Sequence, residues 1–189
     1  MPLSLVGSEM CIRDRNGDGP KRSILLLHVS AEEKGLLGSQ YYTDFDPIVP
    51  LKNTVANLNI DMIGRTDPKR KNGKRNYIYL IGSDKLSTEL HEISEMVNEK
   101  YTAIELDYTF NDENDPNRFY YRSDHYNFAK KNIPIIFYFN GTHEDYHKAT
   151  DTVDKIQFDL LENRTKLVFY TAWELANRKE RVVVDKKFK

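Results

Sequence analysis

Residues 76–108, NYIYLIGSDKLSTELHEISEMVNEKYTAIELDY, decide the fold class. NYIYLIG (76–82) is a short apolar run closed by a glycine, which reads as a buried strand. Residues 85–101 then place Leu86, Leu90, Ile93, Val97 and Tyr101 on one helical stripe. TAIELDY (102–108) reads as the next strand. Strands separated by helices predict an α/β sheet with helices on both faces.

The rest of the chain keeps the same alternation. RSILLLHVS (22–30) reads as a strand buried on both faces, and GLLGSQYYTDF (35–45) as a short helix closed by Pro47. TVANLNIDMIG (54–64) reads as a buried strand ended by Gly64. TDPKRKNGKR (66–75) is densely basic without an interleaved aromatic to stack on a base, and reads as a solvated loop. SDHYNFAKK (123–131) reads as a short helix with Ser123 as N-cap, followed by a buried strand, IPIIFYF (133–139). Residues 155–178 read as a long amphipathic helix through Phe158, Leu161, Val168, Ala172 and Leu175. Residues 179–189 form a charged tail.

Length and composition bound the function. The 189 residues suit one domain, and 39% hydrophobic with 12% aromatic residues are enough to close a core. Lys and Arg total 28 against 29 Asp and Glu, so charge gives no case for nucleic acid or an anionic membrane as the main partner. No apolar run approaches the roughly 20 residues that cross a bilayer. The single cysteine, Cys11, excludes an internal disulfide and a Cys-rich zinc module, and has no expected role. Residues 1–15, MPLSLVGSEMCIRDR, lack the basic start of a secretory signal. They resemble a translated sequencing-adapter leader, and are expected to be non-native; a native disordered leader is the alternative. The folded domain is then expected over 16–178.

In open α/β sheets, function gathers beyond the carboxyl ends of the strands. Three unusual polar groups lie there. Glu32 and Glu33 follow the run 22–30; adjacent carboxylates can divide labour, one holding a metal while the other takes a proton from bound water. The plainer reading is an acidic helix start. Asp61 lies in the run 54–64, in or at the end of its buried strand, where an ionised carboxylate is costly unless paired or metal-bound; its other readings are a loop cap or a partner of Arg65. His147, in HEDYHKATDT, is a metal-ligand type that Asp145 or Asp151 could orient, or else a surface histidine. Together they make a carboxylate-rich N/O ligand set that suits zinc in a hydrolytic site.

AEEKGLLGSQYY, ANLNIDMIGR, YRSDHYNFAKKNIPIIFYF and HEDYHKATDT, in that order, resemble the M28 family of zinc peptidases. The resemblance runs from about residue 22 to 178. It implies a zinc-aminopeptidase-like three-layer sandwich with a mixed, mostly parallel sheet, incomplete at the N-terminus. It implies two Zn2+ ions in a complete site and a peptide substrate with a free N-terminus. By the resemblance, Glu32 matches the general base, Glu33 and His147 ligands of one zinc, and Asp61 a ligand of the other. Tyr120 or Tyr121 falls near a substrate-side tyrosine of some members. Asp124 and His125 stand in a family-like SDH motif, with His125 split between a structural and a site-lining role.

One departure bears on metal binding. Family members supply a His-x-Asp motif and a bridging Asp upstream of the glutamate pair. Here that region offers only Asp14, Asp18 and His28, and His28 reads as a core or metal-supporting histidine. The segment with the two ligands is expected to be missing, leaving doubtful zinc occupancy, an inactive or impaired fragment and an exposed apolar sheet edge. His91 and His143 read as solvent-facing. Two alternatives stay open: a non-catalytic M28-like binding module, and a glutaminyl-cyclase-like single-zinc enzyme. A nucleotide-binding protein is disfavoured, because no glycine-rich phosphate loop follows a strand. The resemblance implies an exported protein.

Overall fold

Five consecutive buried residues make up each of two central strands, β2 (Tyr77–Ile81) and β4 (Ile135–Phe139). They belong to a computed structural model that describes residues 19–71 and 73–188. The expected leader, with Cys11, Asp14 and Asp18, lies outside the described residues. The outer strands are β1 (Asn57–Ile60) and β3 (Glu105–Asp107). The sheet order is β1-β4-β2-β3. β1 runs parallel to β4, with Asn57 opposite Ile135, and β2 runs parallel to β3, with Tyr77 opposite Glu105. β2 and β4 are antiparallel, so the sheet is mixed.

Strand alternation sorts the core into two layers. Tyr77, Tyr79, Ile81, Ile135, Phe137 and Phe139 point to one face, which is covered by α1 (Leu37–Asp44) through Tyr42 and by α3 (His125–Ala129) through Phe128. Ile78, Leu80, Ile136 and Tyr138 point to the other face. There α2 (Thr88–Tyr101) contributes Leu90, Ile93 and Val97, and α4 (Phe158–Asn177) contributes Leu167, Val168 and Leu175. Burying each such side chain stabilises the fold by about 1.5–3 kcal/mol. Ser87 caps α2, its hydroxyl accepting from the Leu90 N–H at 3.1 Å. The expected three-layer α/β architecture is thus the one observed.

Several local expectations are corrected. Residues 22–30 are not a strand: Leu25 and Leu26 are exposed, as is His28, and the segment has no ladder partner. An apolar run becomes a strand only where a neighbour takes its N–H and C=O groups. This segment instead leaves the end of α4, where the Arg22 N–H donates to the Ala176 carbonyl at 2.9 Å. β1 is consequently an edge, with Ile60 exposed. Ser123 does not cap α3; its hydroxyl is engaged elsewhere. The basic loop 66–75 is not wholly solvated, because Arg70 is half-buried and paired with Asp107 (3.0 Å) and Glu105. In α4 the buried stripe runs through Leu160, Arg164, Leu167, Thr171 and Leu175, leaving Phe158 exposed. Arg164 and Thr171 bond to backbone carbonyls, so an apolar period could not reveal them. The charged tail docks as well: Val182 is buried, and the Val183 N–H donates to Glu89 at 3.0 Å. Among the described residues, no helix is long and apolar enough to cross a membrane.

Candidate active site

The segment after Ser30 folds into a tight turn that presents two carboxylates. Ala31 (φ 57°), Gly35 (φ 99°) and Leu36 (φ 61°) are all left-handed, and Glu32–Lys34 forms a single 3-10 turn between them. The Gly35 and Leu36 N–H groups donate to the Glu32 carbonyl at 3.0 and 2.8 Å. Two non-glycine residues in this region cost free energy, and such strain clusters at functional sites. α3 steadies the turn: Asn127 Nδ2 donates to the Leu36 carbonyl (3.1 Å) and to Ser39 Oγ (2.7 Å). A Cβ on Gly38 would collide with the Ser30 backbone, so only glycine lets α1 start so close to the turn.

Asp61 leaves the end of β1, with its N–H on the Tyr138 carbonyl at 3.2 Å. The Ser123 hydroxyl donates to Asp61 Oδ2 at 2.9 Å, and Asn59 Nδ2 donates to Ser123 Oγ at 3.0 Å. The next residue, Met62, is left-handed (φ 58°), as is His147 (φ 58°). His147 lies on the loop after β4, with Tyr146 stacked on its ring at 3.8 Å between centroids. Its Nε2 is 2.8 Å from Glu33 Oε1. Glu32, Glu33, Asp61 and His147 therefore line one cleft of about 210 Å³, together with Phe119, Arg122, Tyr146 and Asp151.

Burial first, and then the crowding of carboxylates, sets the electrostatics. Glu32 is pushed up to about 7, first by burial and then by the charges of Asp61, Glu33 and Asp124, with His147 opposing. Burial raises Asp61 as well, against the Ser123 hydroxyl bond that lowers it, and burial raises Asp124. A carboxyl that ionises near neutral pH is suited to take up and return a proton.

The sequence candidates divide. Glu32, Glu33, Asp61 and His147 are brought together. Asp124 stands beside them, close enough to raise Glu32 electrostatically. Tyr120 and Tyr121 do not line the cleft: Tyr120 is buried against Gly82 and His125, Tyr121 meets Tyr126 edge to face, and Phe119 takes the cleft position. His125 is fully buried, with Nε2 on the Tyr120 carbonyl at 2.8 Å and its ring on Phe137, so it packs the core. Asp145 does not reach His147. Its carboxylate accepts from Lys155 (2.7 Å) and Arg65 (3.2 Å), and these cations, Lys155 first, hold it well below the usual range. Asp151 is paired with Arg65 at 3.3 Å, and Arg65 turns away from Asp61. His143, expected at the surface, is buried with Nε2 3.7 Å from Asp151. His91 is half-buried beside Ser83 at 2.9 Å. Sequence reasoning missed Phe119, Arg122 and Tyr146, although Tyr146 adjoins His147 and Arg122 precedes the SDH motif.

Among the described residues, no group of three or more His, Cys, Asp or Glu side chains is placed to hold one metal ion. Glu33 and His147 converge and Asp61 shares their cleft, but that set is short of a zinc site.

The model of peptidase family M28 matches residues 10–172. The fold is shared with the zinc aminopeptidase BSAP of Bacillus subtilis at a TM-score of 0.61 and 24% identity, over 85% of this chain and 38% of that one. It is also shared with an aminopeptidase from Aneurinibacillus sp. strain AM-1 at a TM-score of 0.59 and 21% identity, over 84% and 34% of the two chains. LapB from Legionella pneumophila gives 0.60 and 25%, over 79% and 38%. The chain thus spans 34–38% of the length of these structures. No curated protein sequence matches it. With a family model that takes in the glutamate turn, Asp61 and His147 alike, the chain belongs to peptidase family M28.

Proposed function

We propose that this chain carries the general base and part of the metal-ligand set of a zinc-dependent exopeptidase, which removes N-terminal residues from peptides. The observation that supports this reading most is the convergence of Glu32, Glu33, Asp61 and His147 in one cleft of an M28 chain. Zinc is proposed from the family and from the N/O chemistry of Glu33, His147 and Asp61. The described donors do not complete a site for it.

The chain's own groups support a proton-transfer role. Glu32, pushed up to about 7, accepts a proton from the attacking water and returns it to the leaving amine. Glu33 and His147 form the polar wall on one side, and Asp61 is fixed by Ser123. Phe119, Phe137 and Phe139 supply an apolar wall against which a peptide side chain can rest. The substrate is a peptide with a free α-amine, and an exported location is proposed with it; cell fractionation tests the second point. For the first, an unblocked tripeptide and its N-acetylated form are offered to the zinc-supplied protein. Loss of cleavage on acetylation supports an exopeptidase, and equal cleavage of both refutes it.

A further inference from the structure

Arg164 is a fully buried cation with no carboxylate partner among the described residues. Its Nε and Nη1 donate to main-chain carbonyls instead, while Nη2 has no hydrogen-bond partner among the described residues. Nε donates to Tyr77 at 3.1 Å, and Nη1 donates to Ile63 at 2.6 Å and Arg65 at 2.8 Å. It thereby fastens the turn after Asp61 to β2 from behind. The Gln157 N–H adds a bond to the Gly64 carbonyl at 2.9 Å. With its backbone held in this way, Arg65 sends its guanidinium forward into the loop that carries His147. There it meets three carboxylates: Asp145 at 3.2 Å, Asp151 at 3.3 Å and Glu144 at 3.5 Å. These residues flank His147 on both sides, and the loop has no helix or strand of its own. Its internal backbone bonds are few, such as Tyr146 N–H to the His143 carbonyl and Lys148 N–H to the Asp145 carbonyl.

We infer that Arg65 is a positioning residue. Anchored through its backbone by Arg164, it ties the Asp61 turn to the His147 loop and so sets His147 against Glu33. Arginine suits the task because its planar fork reaches several carboxylates at once, which a lysine ammonium on a flexible stem does not. The inference takes the meaning of the site from the peptidase reading, but its geometry stands independently.

Amide hydrogen exchange on the full chain tests it without metal or substrate. In Arg65→Met, the protected amides of residues 143–151 should exchange about tenfold faster, while those of β2 and β4 keep their rates. Arg65→Lys should restore only part of that protection, separating the fork from the charge alone. Unchanged exchange in 143–151, full rescue by lysine, or equal acceleration across the sheet would overturn the inference. Should Arg65→Met fail to fold, Asp151→Asn on the exposed side of the cluster serves in its place. It should speed exchange in 143–151 with the sheet unaffected, and no change there would equally overturn the claim. If the exchange result holds while the unblocked and acetylated tripeptides are cleaved equally, the exopeptidase reading falls and the role of Arg65 remains.

Discussion

His147 Nε2 lies 2.8 Å from Glu33 Oε1, so two side chains 114 positions apart in sequence meet at one point. Each is a zinc-ligand type, and within the described residues no third joins them closely enough to complete a site. Zinc titrated into this chain is therefore expected to bind weakly and to be stripped by a mild chelator. His147→Ala should abolish that binding, because only carboxylates then remain. Isothermal titration with a competing chelator checks both points. Tight binding by the wild type, or unchanged binding by the variant, would contradict the assignment.

His125 makes the acid stability of the fold a direct test of its burial. Loss of water contact holds it down at about 3 in the fold, against an ordinary value of 6.5, while its bond to the Tyr120 carbonyl opposes that shift. Between these values the unfolded chain binds the extra proton and the folded chain does not. Stability from this group is therefore full above pH 6.5 and is lost as pH falls toward 3. Glu32 acts in the opposite sense, since its raised value favours proton uptake by the folded chain below about 7. The difference between wild type and His125→Phe isolates the histidine. The variant should lose about 1–3 kcal/mol at pH 7, with the Tyr120 carbonyl unpaired, and should show a shallower decline on acidification. Urea unfolding at several pH values decides it, and parallel curves would place His125 outside the core.

Gly38 tests whether the glutamate turn depends on close backbone approach. Its N–H donates to the Ser30 carbonyl at 3.0 Å, and an added Cβ would run into that same backbone. Gly38→Ala should destabilise by about 1–3 kcal/mol through forced displacement. It should also shift the resonances of Glu32 and Glu33, which sit on the displaced turn. A denaturation midpoint and a spectrum matching wild type would show that the turn tolerates the methyl group.

The fold was largely legible because β2, β4, α2 and α4 are long or strongly patterned. Tyr77–Ile81 and Ile135–Phe139 are apolar throughout, as strands covered on both faces must be. Residues 22–30 misled for the same reason: their pattern is equally apolar, but a pattern carries no information about whether a partner strand lies alongside. Glu32, Glu33, Asp61 and His147 stood out as charged or ligating groups just past apolar runs. Phe119, Arg122 and Tyr146 did not, since an aromatic or an arginine in a loop has no local feature that assigns it to a cleft. The same limit hid the arginine pair. Arg164 occupies what an apolar period treats as a gap, and Arg65 finds its partners about 80 residues away in the chain.

The most direct test of the proposed chemistry is cleavage of an unblocked aminoacyl-p-nitroanilide by the zinc-supplied protein, with wild type compared against Glu32→Gln. Glutamine keeps the shape and removes the proton acceptor. The account predicts slow release of the N-terminal amino acid by the wild type, in keeping with its weakly held zinc, and a further fall of about 10²–10⁴-fold in the variant with the same weak zinc affinity. Turnover by Glu32→Gln at the wild-type rate would contradict the role given to Glu32.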